Sequence, residues 1–242
     1  MDAVDRDRAL VEHNALLADA VLGADPDLAV AACPGWTVAT LLTHVGRGDR
    51  WAAEIVRTGA PLEFRAVPDG RPGPDARAWL ADGPRLLLDA VAADPGKPVW
   101  TFLGTRPAAW WVRRRLHEAT VHLADARLAA GGDPALAPDV AADGVDDLLD
   151  IVTVRSGGGS PLDDGGSLHL HATDHPAGEW TARAAGGTTT WEHGHGRGTA
   201  AVRGTASDLL LALHRRLPGD HERLQVLGDA GVWRSWLGRT VF

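Results

Sequence analysis

The sequence predicts an α + α/β chain, an N-terminal four-helix bundle followed by a small C-terminal α+β domain. Three observations carry that prediction. Apolar residues recur at helical spacing in four long segments of the first half. After about residue 160 the pattern changes to the two-residue alternation of strands. Between the two parts stands Ser156-Gly157-Gly158-Gly159-Ser160-Pro161, a linker by composition. Domains are therefore expected over 1–155 and 156–242.

The elements follow in order. Residues 4–23 carry Leu10, Val11, Leu16, Leu17, Ala20 and Val21 on one helical stripe, with Gly23 as the stop. Cys33-Pro34-Gly35-Trp36 reads as a turn. Thr37 is placed to cap a second helix running to about Arg57, with Val38, Leu41, Leu42, Val45, Ile55 and Val56 apolar. Residues 59–74 are rich in Pro and Gly and read as a loop. A third helix is expected over 75–93 and a fourth over about 107–130, ended by Gly131-Gly132. A fifth, about 138–153, joins the two parts of the chain. Beyond it Leu168, Leu170 and Ala172 alternate with His169, His171 and Thr173, which predicts a strand over 167–173. Residues 179–185 and 188–193 flank Gly186-Gly187, a hairpin signal. A strand over 199–203, a helix over 206–217, a strand over 224–227 and a helix over 230–237 complete the domain.

Composition narrows the function classes. The chain has 242 residues, 45% of them apolar, which suffices for a sizeable core. A net charge of −8 argues against a nucleic-acid partner, since phosphate binding needs a basic face. Arg113, Arg114 and Arg115 form one short cluster, expected on a solvated helix face, with an anion site as the alternative. Cys33 is the single cysteine, so neither an intrachain disulfide nor a zinc site built from cysteines alone can form. No apolar run reaches membrane-spanning length, and the opening Met1-Asp2-Ala3-Val4-Asp5-Arg6 has no signal core. A cytoplasmic protein is expected, with no membrane partner; the oligomeric state is left open.

The strongest chemical signal lies in the fourth helix. Glu118 and His122 are four residues apart, a spacing that stacks both side chains on one face. A carboxylate and an imidazole so placed can share one divalent metal, and His44 on the second helix is the best third ligand. Three protein ligands leave a coordination position open, the pattern of a catalytic rather than a structural zinc. Three ionisable groups turned into one bundle core would be costly without a metal.

Other residues carry weaker signals. Cys33 reads as a packed small hydrophobe. His193-Gly194-His195 reads as a solvent-exposed loop, although it has metal-binding residue types. His169 and His171 share a strand face, as a polar face or a domain-interface lining. Trp51 lies on the same side of its helix as His44 and reads as core. His13 is a candidate for a supporting place beside the metal, and His117 points about 100° away from Glu118.

Cys33-Pro34-Gly35-Trp36-Thr37-Val38, then Leu41, then His44-Val45-Gly46 resembles the N-terminal signature of the mycothiol-dependent maleylpyruvate isomerase family. Arg115, His117-Glu118, Val121-His122 and Asp125 resemble its second motif. Thr205-Ala206-Ser207-Asp208-Leu209-Leu210-Leu211, then Val226 and Gly228-Asp229, resemble its C-terminal domain. The resemblance implies a DinB-like zinc-carrying bundle followed by a sterol-carrier-like domain. Its metal ligands would be His44, Glu118 and His122, with water or a thiol in fourth place. Family members often carry a Trp-Gly-Arg-like segment where this chain has His214-Arg215-Arg216. Arg216 is the better match for an active-site arginine, one that would pair with a substrate carboxylate.

The implied function is a zinc-dependent enzyme that uses the thiol mycothiol on a small electrophilic substrate. It would act as a cis–trans isomerase of the maleylpyruvate type or as a thiol S-transferase. The alternatives are a non-catalytic zinc-binding regulator resembling a sigma-factor antagonist, a binding module, or a family member recruited to a biosynthetic reaction without thiol.

Overall fold

The computed structural model describes residues 1–155 and 159–240. The linker expectation at 156–158 lies outside the described residues. The chain divides into two compact units, Met1–Pro134 and Ala135–Phe242.

The first unit is built on four helices, α1 (Ala3–Leu22), α2 (Val38–Thr58), α3 (Ala76–Ala92) and α4 (Ala109–Ala129). Each packs mainly against two others, in the cyclic order α1-α4-α2-α3. Sequence neighbours α1 and α2 are therefore diagonal, and α2 lies beside α4. Their interface buries Leu41, Leu42 and Val45 with Ala119, Leu123 and Ala126.

The start of α2 follows from its cap. The Thr37 hydroxyl accepts from the Thr40 N–H, and the Thr40 side chain accepts from the Thr37 N–H. Gly59, in the left-handed region at φ 76°, ends the helix. Two glycines inside α2 cost helix propensity, yet both serve close approach. A Cβ on Gly46 would stand 2.1 Å from the Trp79 ring, and one on Gly48 would stand 2.4 Å from the Arg115 guanidinium.

The expected loop after α2 is pinned to that helix. Arg47 donates to the Gly70 carbonyl at 2.9 and 3.1 Å. Trp51 donates to the Leu62 carbonyl at 2.7 Å, and Trp79 to the Asp69 carbonyl at 3.0 Å. These bonds fix a short 3-10 turn at Phe64–Ala66. Between α3 and α4 runs a two-residue ladder that periodicity did not indicate, β1 (Pro98–Val99) with β2 (Arg106–Pro107).

The second unit begins with α5 (Pro138–Arg155), which packs on elements of that unit. Its sheet has the order β5-β4-β3-β6-β7, with β3 (Ser167–Ala172), β4 (Glu179–Ala185), β5 (Thr188–His193), β6 (Ala200–Gly204) and β7 (Gln225–Gly228). Only β3 and β6 among these neighbours run parallel. The β4–β5 turn uses Gly186 and Gly187 at φ 58° and 76°, the left-handed pair that a two-residue hairpin needs. Leu168, Leu170, Trp180, Ala182 and Val202 form its buried face.

Two helices complete the unit, α6 (Ala206–Leu213) and α7 (Ala230–Arg239). The expected continuation of α6 to Leu217 does not occur. Arg215 turns into the left-handed region at φ 66°. Its guanidinium bonds the carbonyls of Leu213, Leu237 and Thr240, tying the end of α6 to the end of α7.

Candidate metal centre

Because α2 and α4 are neighbours, His44 meets Glu118 and His122, 74 and 78 positions later in the sequence, at one point. His44 Nε2 lies 3.7 Å from Glu118 Oε2, and His122 Nε2 lies 3.7 Å from the same oxygen. All three ligand atoms fall within 4.8 Å of one another. Ligand atoms about 2.1 Å from a tetrahedral zinc stand about 3.4 Å apart. The observed spacing fits one such cation with small adjustments. The His122 side chain is nearly buried, at 9% exposed, but His44 and Glu118 retain 26% and 29%. One side of the cluster is thus reachable by a fourth ligand.

The surroundings aim the His122 ring and shift the Glu118 and His44 side chains. His122 Nδ1 is 2.9 Å from Asp125 Oδ2, which orients the ring with Nε2 toward Glu118. Burial pushes the Glu118 carboxyl up, but Arg114, His44, Arg115 and His122 together outweigh it. The group is held well below the usual carboxylate range. Arg114 supplies the closest contact, Nη2 to Oε1 at 2.7 Å, and Arg115 Nη1 stands 3.8 Å from Oε2. Burial pushes the His44 imidazole below its ordinary value, which favours the neutral form that a ligand needs.

Arg115 is itself fixed from α2. Its Nε donates to Asp49 Oδ1 at 2.8 Å and its Nη2 to the Val45 carbonyl at 3.1 Å. Asp49 is fully buried, and burial raises its carboxyl against the pull of Arg115. Arg114 and Arg115 are buried as well. The expectation of a solvated arginine face is therefore corrected for these two, because acidic partners on α2 and α4 draw them inward.

Aromatic rings wall the centre. Trp36 lies 4.7 Å from the His44 ring and stacks on His122 at 5.9 Å, centroid to centroid. Phe64 lies 5.6 Å from both His44 and Trp51. Trp51 continues into a cluster with Trp100 and Trp111.

Sequence reasoning gave Trp36, Phe64, Asp49 and Arg114 no part in a metal centre. Trp36 stands directly before the α2 cap, which was a usable signal. The place of Phe64 depends on the pinned loop and left none. Cys33 Sγ is 3.9 Å from Asp125 Oδ2, at the edge of the centre. His13 does not join it. The Thr120 hydroxyl donates to the Leu116 carbonyl at 2.8 Å and so accepts from His13 Nδ1 at 2.9 Å. His117 is buried and belongs to no ligand cluster found among the described residues.

Known proteins bear on this arrangement. The model of the mycothiol maleylpyruvate isomerase N-terminal domain matches residues 7–127, and that of the MDMPI C-terminal domain matches residues 139–235. The chain belongs to the mycothiol maleylpyruvate isomerase family. This family member also resembles two solved structures. One is a mycothiol-dependent maleylpyruvate isomerase carrying a histidine-to-alanine mutation, at TM-score 0.57 and 18% identity, covering 87% of this chain and 88% of that one. The other is the mycothiol-dependent maleylpyruvate isomerase itself, at TM-score 0.54 and 18% identity, with 93% of each chain covered. No curated protein sequence matches the chain. At that identity the likeness speaks for the fold, a helical unit followed by an α+β unit.

Arg216 lies just past α6 in the second unit, where its Nη1 donates to the His214 carbonyl at 2.8 Å. The Arg215 guanidinium is committed to the carbonyls that end α7. No helix of the described residues is long and apolar enough to cross a membrane.

Proposed function

We propose that this chain is a zinc-dependent, mycothiol-using enzyme that isomerises a small cis-configured electrophile of the maleylpyruvate type. The observation that carries the reading is the cluster of His44, Glu118 and His122, spaced for one cation and open on one side. Family membership supports the thiol and the reaction class.

Bound zinc supplies a Lewis acid that keeps a low-molecular-weight thiol in its nucleophilic thiolate form near neutral pH. His44 offers a neutral imidazole because burial disfavours its charged form. Glu118 stays ionised because Arg114 and Arg115 face it. Asp125 holds the His122 ring in its ligating orientation. Trp36 and Phe64 cover the apolar flank and limit water at the reacting atoms. The thiolate is proposed to add to the cis double bond, the resulting C–C single bond to rotate, and elimination to give the trans product and free thiol; a role for Arg216 in pairing with a substrate carboxylate is proposed from the family resemblance alone. The protein is proposed to be cytoplasmic, where such a thiol is kept reduced.

Turnover of maleylpyruvate by purified protein with mycothiol tests the reading, alongside metal analysis of the same sample. Glu118→Gln and His44→Ala are each expected to lose bound zinc and to lower turnover by more than roughly 100-fold. Equal turnover in His44→Ala, or full turnover in metal-free protein, would overturn the metal's part. Turnover without added thiol would overturn the mycothiol assignment.

A further inference from the structure

The second unit contains a cluster of the same residue types on a different scaffold. His169 and His171 alternate with Leu168, Leu170 and Ala172 along β3, so both imidazoles leave the sheet on the face away from the apolar core. The β3–β4 register sets Glu179 opposite His171 and Thr181 opposite His169, on that same face. The segment after β5 then crosses over it. Gly194 adopts φ 125°, and a Cβ on Gly196 would stand 2.8 Å from Thr181 Oγ1. A Cβ on Gly198 would meet the His169 backbone nitrogen at 2.8 Å. These glycines let the segment lie on the strands and carry His195 to Glu179.

The distances converge on one carboxylate. His195 Nδ1 is 2.8 Å from Glu179 Oε2, and His169 Nε2 is 3.5 Å from the same oxygen. His171 Nδ1 is 3.6 Å from the other oxygen, Oε1. The ligand atoms of His169, Glu179 and His195 all lie within 4.8 Å of one another.

His169 supplies an independent observation. The residue is 4% exposed, and its Nε2 has no hydrogen-bond partner. Its other nitrogen, Nδ1, is 3.1 Å from Thr181 Oγ1, which holds the ring. If Nδ1 carries the proton, the bare Nε2 lone pair faces a carboxylate oxygen, acceptor against acceptor. If Nε2 carries it, the 3.5 Å gap is too long for a sound hydrogen bond. A cation between the two atoms satisfies both.

We propose that the sheet unit holds a second divalent transition-metal site, with His169 Nε2, the Glu179 carboxylate and His195 Nδ1 as ligands and His171 steadying the carboxylate. The spacing of His169 from Glu179 already matches the roughly 3.4 Å expected between tetrahedral ligands. The His195–Glu179 hydrogen bond gives way to a shared cation with an opening of roughly 0.6 Å, which an exposed side chain can make. Two imidazoles and a carboxylate suit Zn²⁺ and its neighbours in the first transition row rather than Mg²⁺ or Ca²⁺. The site lies within one unit and does not depend on the reading of the helical centre.

Zinc stoichiometry by equilibrium dialysis tests it, using the full chain stripped of metal and reloaded with Zn²⁺ alone. His195→Ala is expected to bind one equivalent fewer per chain than wild type, whatever the helical centre holds. Its melting temperature without metal should be unchanged, because the ring is exposed. His169→Gln should lose the same equivalent. His193→Ala is the control, since that ring faces Asp146 at 3.2 Å instead. The same stoichiometry in wild type and His195→Ala would overturn the site. So would an equal loss in His193→Ala, which would mark loose binding by the loop.

Discussion

The two units each bring two imidazoles and a carboxylate together, by different means. In the helical unit, Glu118 and His122 are one turn apart on α4, and His44 comes from the neighbouring helix. Buried charge then holds the group: Arg114 and Arg115 face Glu118, and Asp49 anchors Arg115. In the sheet unit, Glu179 is shared by His169 and His195, with His171 near its second oxygen; His169 is buried, but Glu179 is partly exposed and His195 lies in solvent. Strand register and a glycine-rich crossing place those groups. The comparison teaches that the same ligand types can be preorganised by electrostatics or by backbone geometry, and the two should fail in different ways.

The largest expected break is at Asp49. Asp49→Ala leaves the Arg115 guanidinium buried without its carboxylate, a loss of about 3–5 kcal/mol. Urea unfolding of variant and wild type measures it. Glu179→Gln sharpens the contrast, because partly exposed pairs contribute about 1 kcal/mol or less. A larger loss for Glu179→Gln than for Asp49→Ala would reverse the comparison.

A second test uses pH. His13 is buried in the helical unit, and desolvation, with His117 and Arg127 adding to it, lowers its pKa to about 4. The unfolded chain binds that proton near pH 6.5, the ordinary value, and the folded chain does not. Stability therefore falls as pH drops from 6.5 toward 4, by about 3 kcal/mol for this residue. His13→Gln, which keeps a donor for Thr120, should flatten that slope in urea unfolding curves. A wild-type slope identical to that of His13→Gln would show that His13 titrates normally.

Smaller effects probe the supports. Asp125→Asn should weaken zinc binding at the helical centre by roughly 10–100-fold, because it no longer fixes the His122 ring. It should leave the sheet unit's metal affinity unchanged, and competition with a chromophoric chelator reads both. Thr37→Ala removes the α2 capping box and should cost about 1 kcal/mol in thermal or urea unfolding.

Much of the fold was legible because its elements carry strong local signals. The cap at Thr37 fixes a boundary through its side-chain hydrogen bond, and the stop at Gly131 and the Gly186-Gly187 turn fix theirs through a left-handed backbone that few residues adopt. The end of α6 was not legible. Arg215 leaves the helix to reach carbonyls of α7, a long-range contact that local propensity does not encode. The β1–β2 ladder is too short to show periodicity. Phe64 was hidden because a loop delivers it, and that loop is pinned by the bonds of Arg47 and Trp51.

By itself the sequence determined that α4 would present Glu118 and His122 on one face, since helical pitch makes that a local matter. It likewise determined that His169 and His171 would share a strand face. Tertiary structure alone decided that α2 lies beside α4, bringing His44 to the pair. It also drew Arg114 and Arg115 inward and set the crossing segment over Glu179. The physical reason is range. Periodicity constrains which side chains leave one element together, whereas which elements meet depends on apolar burial and charge pairing summed over the whole unit.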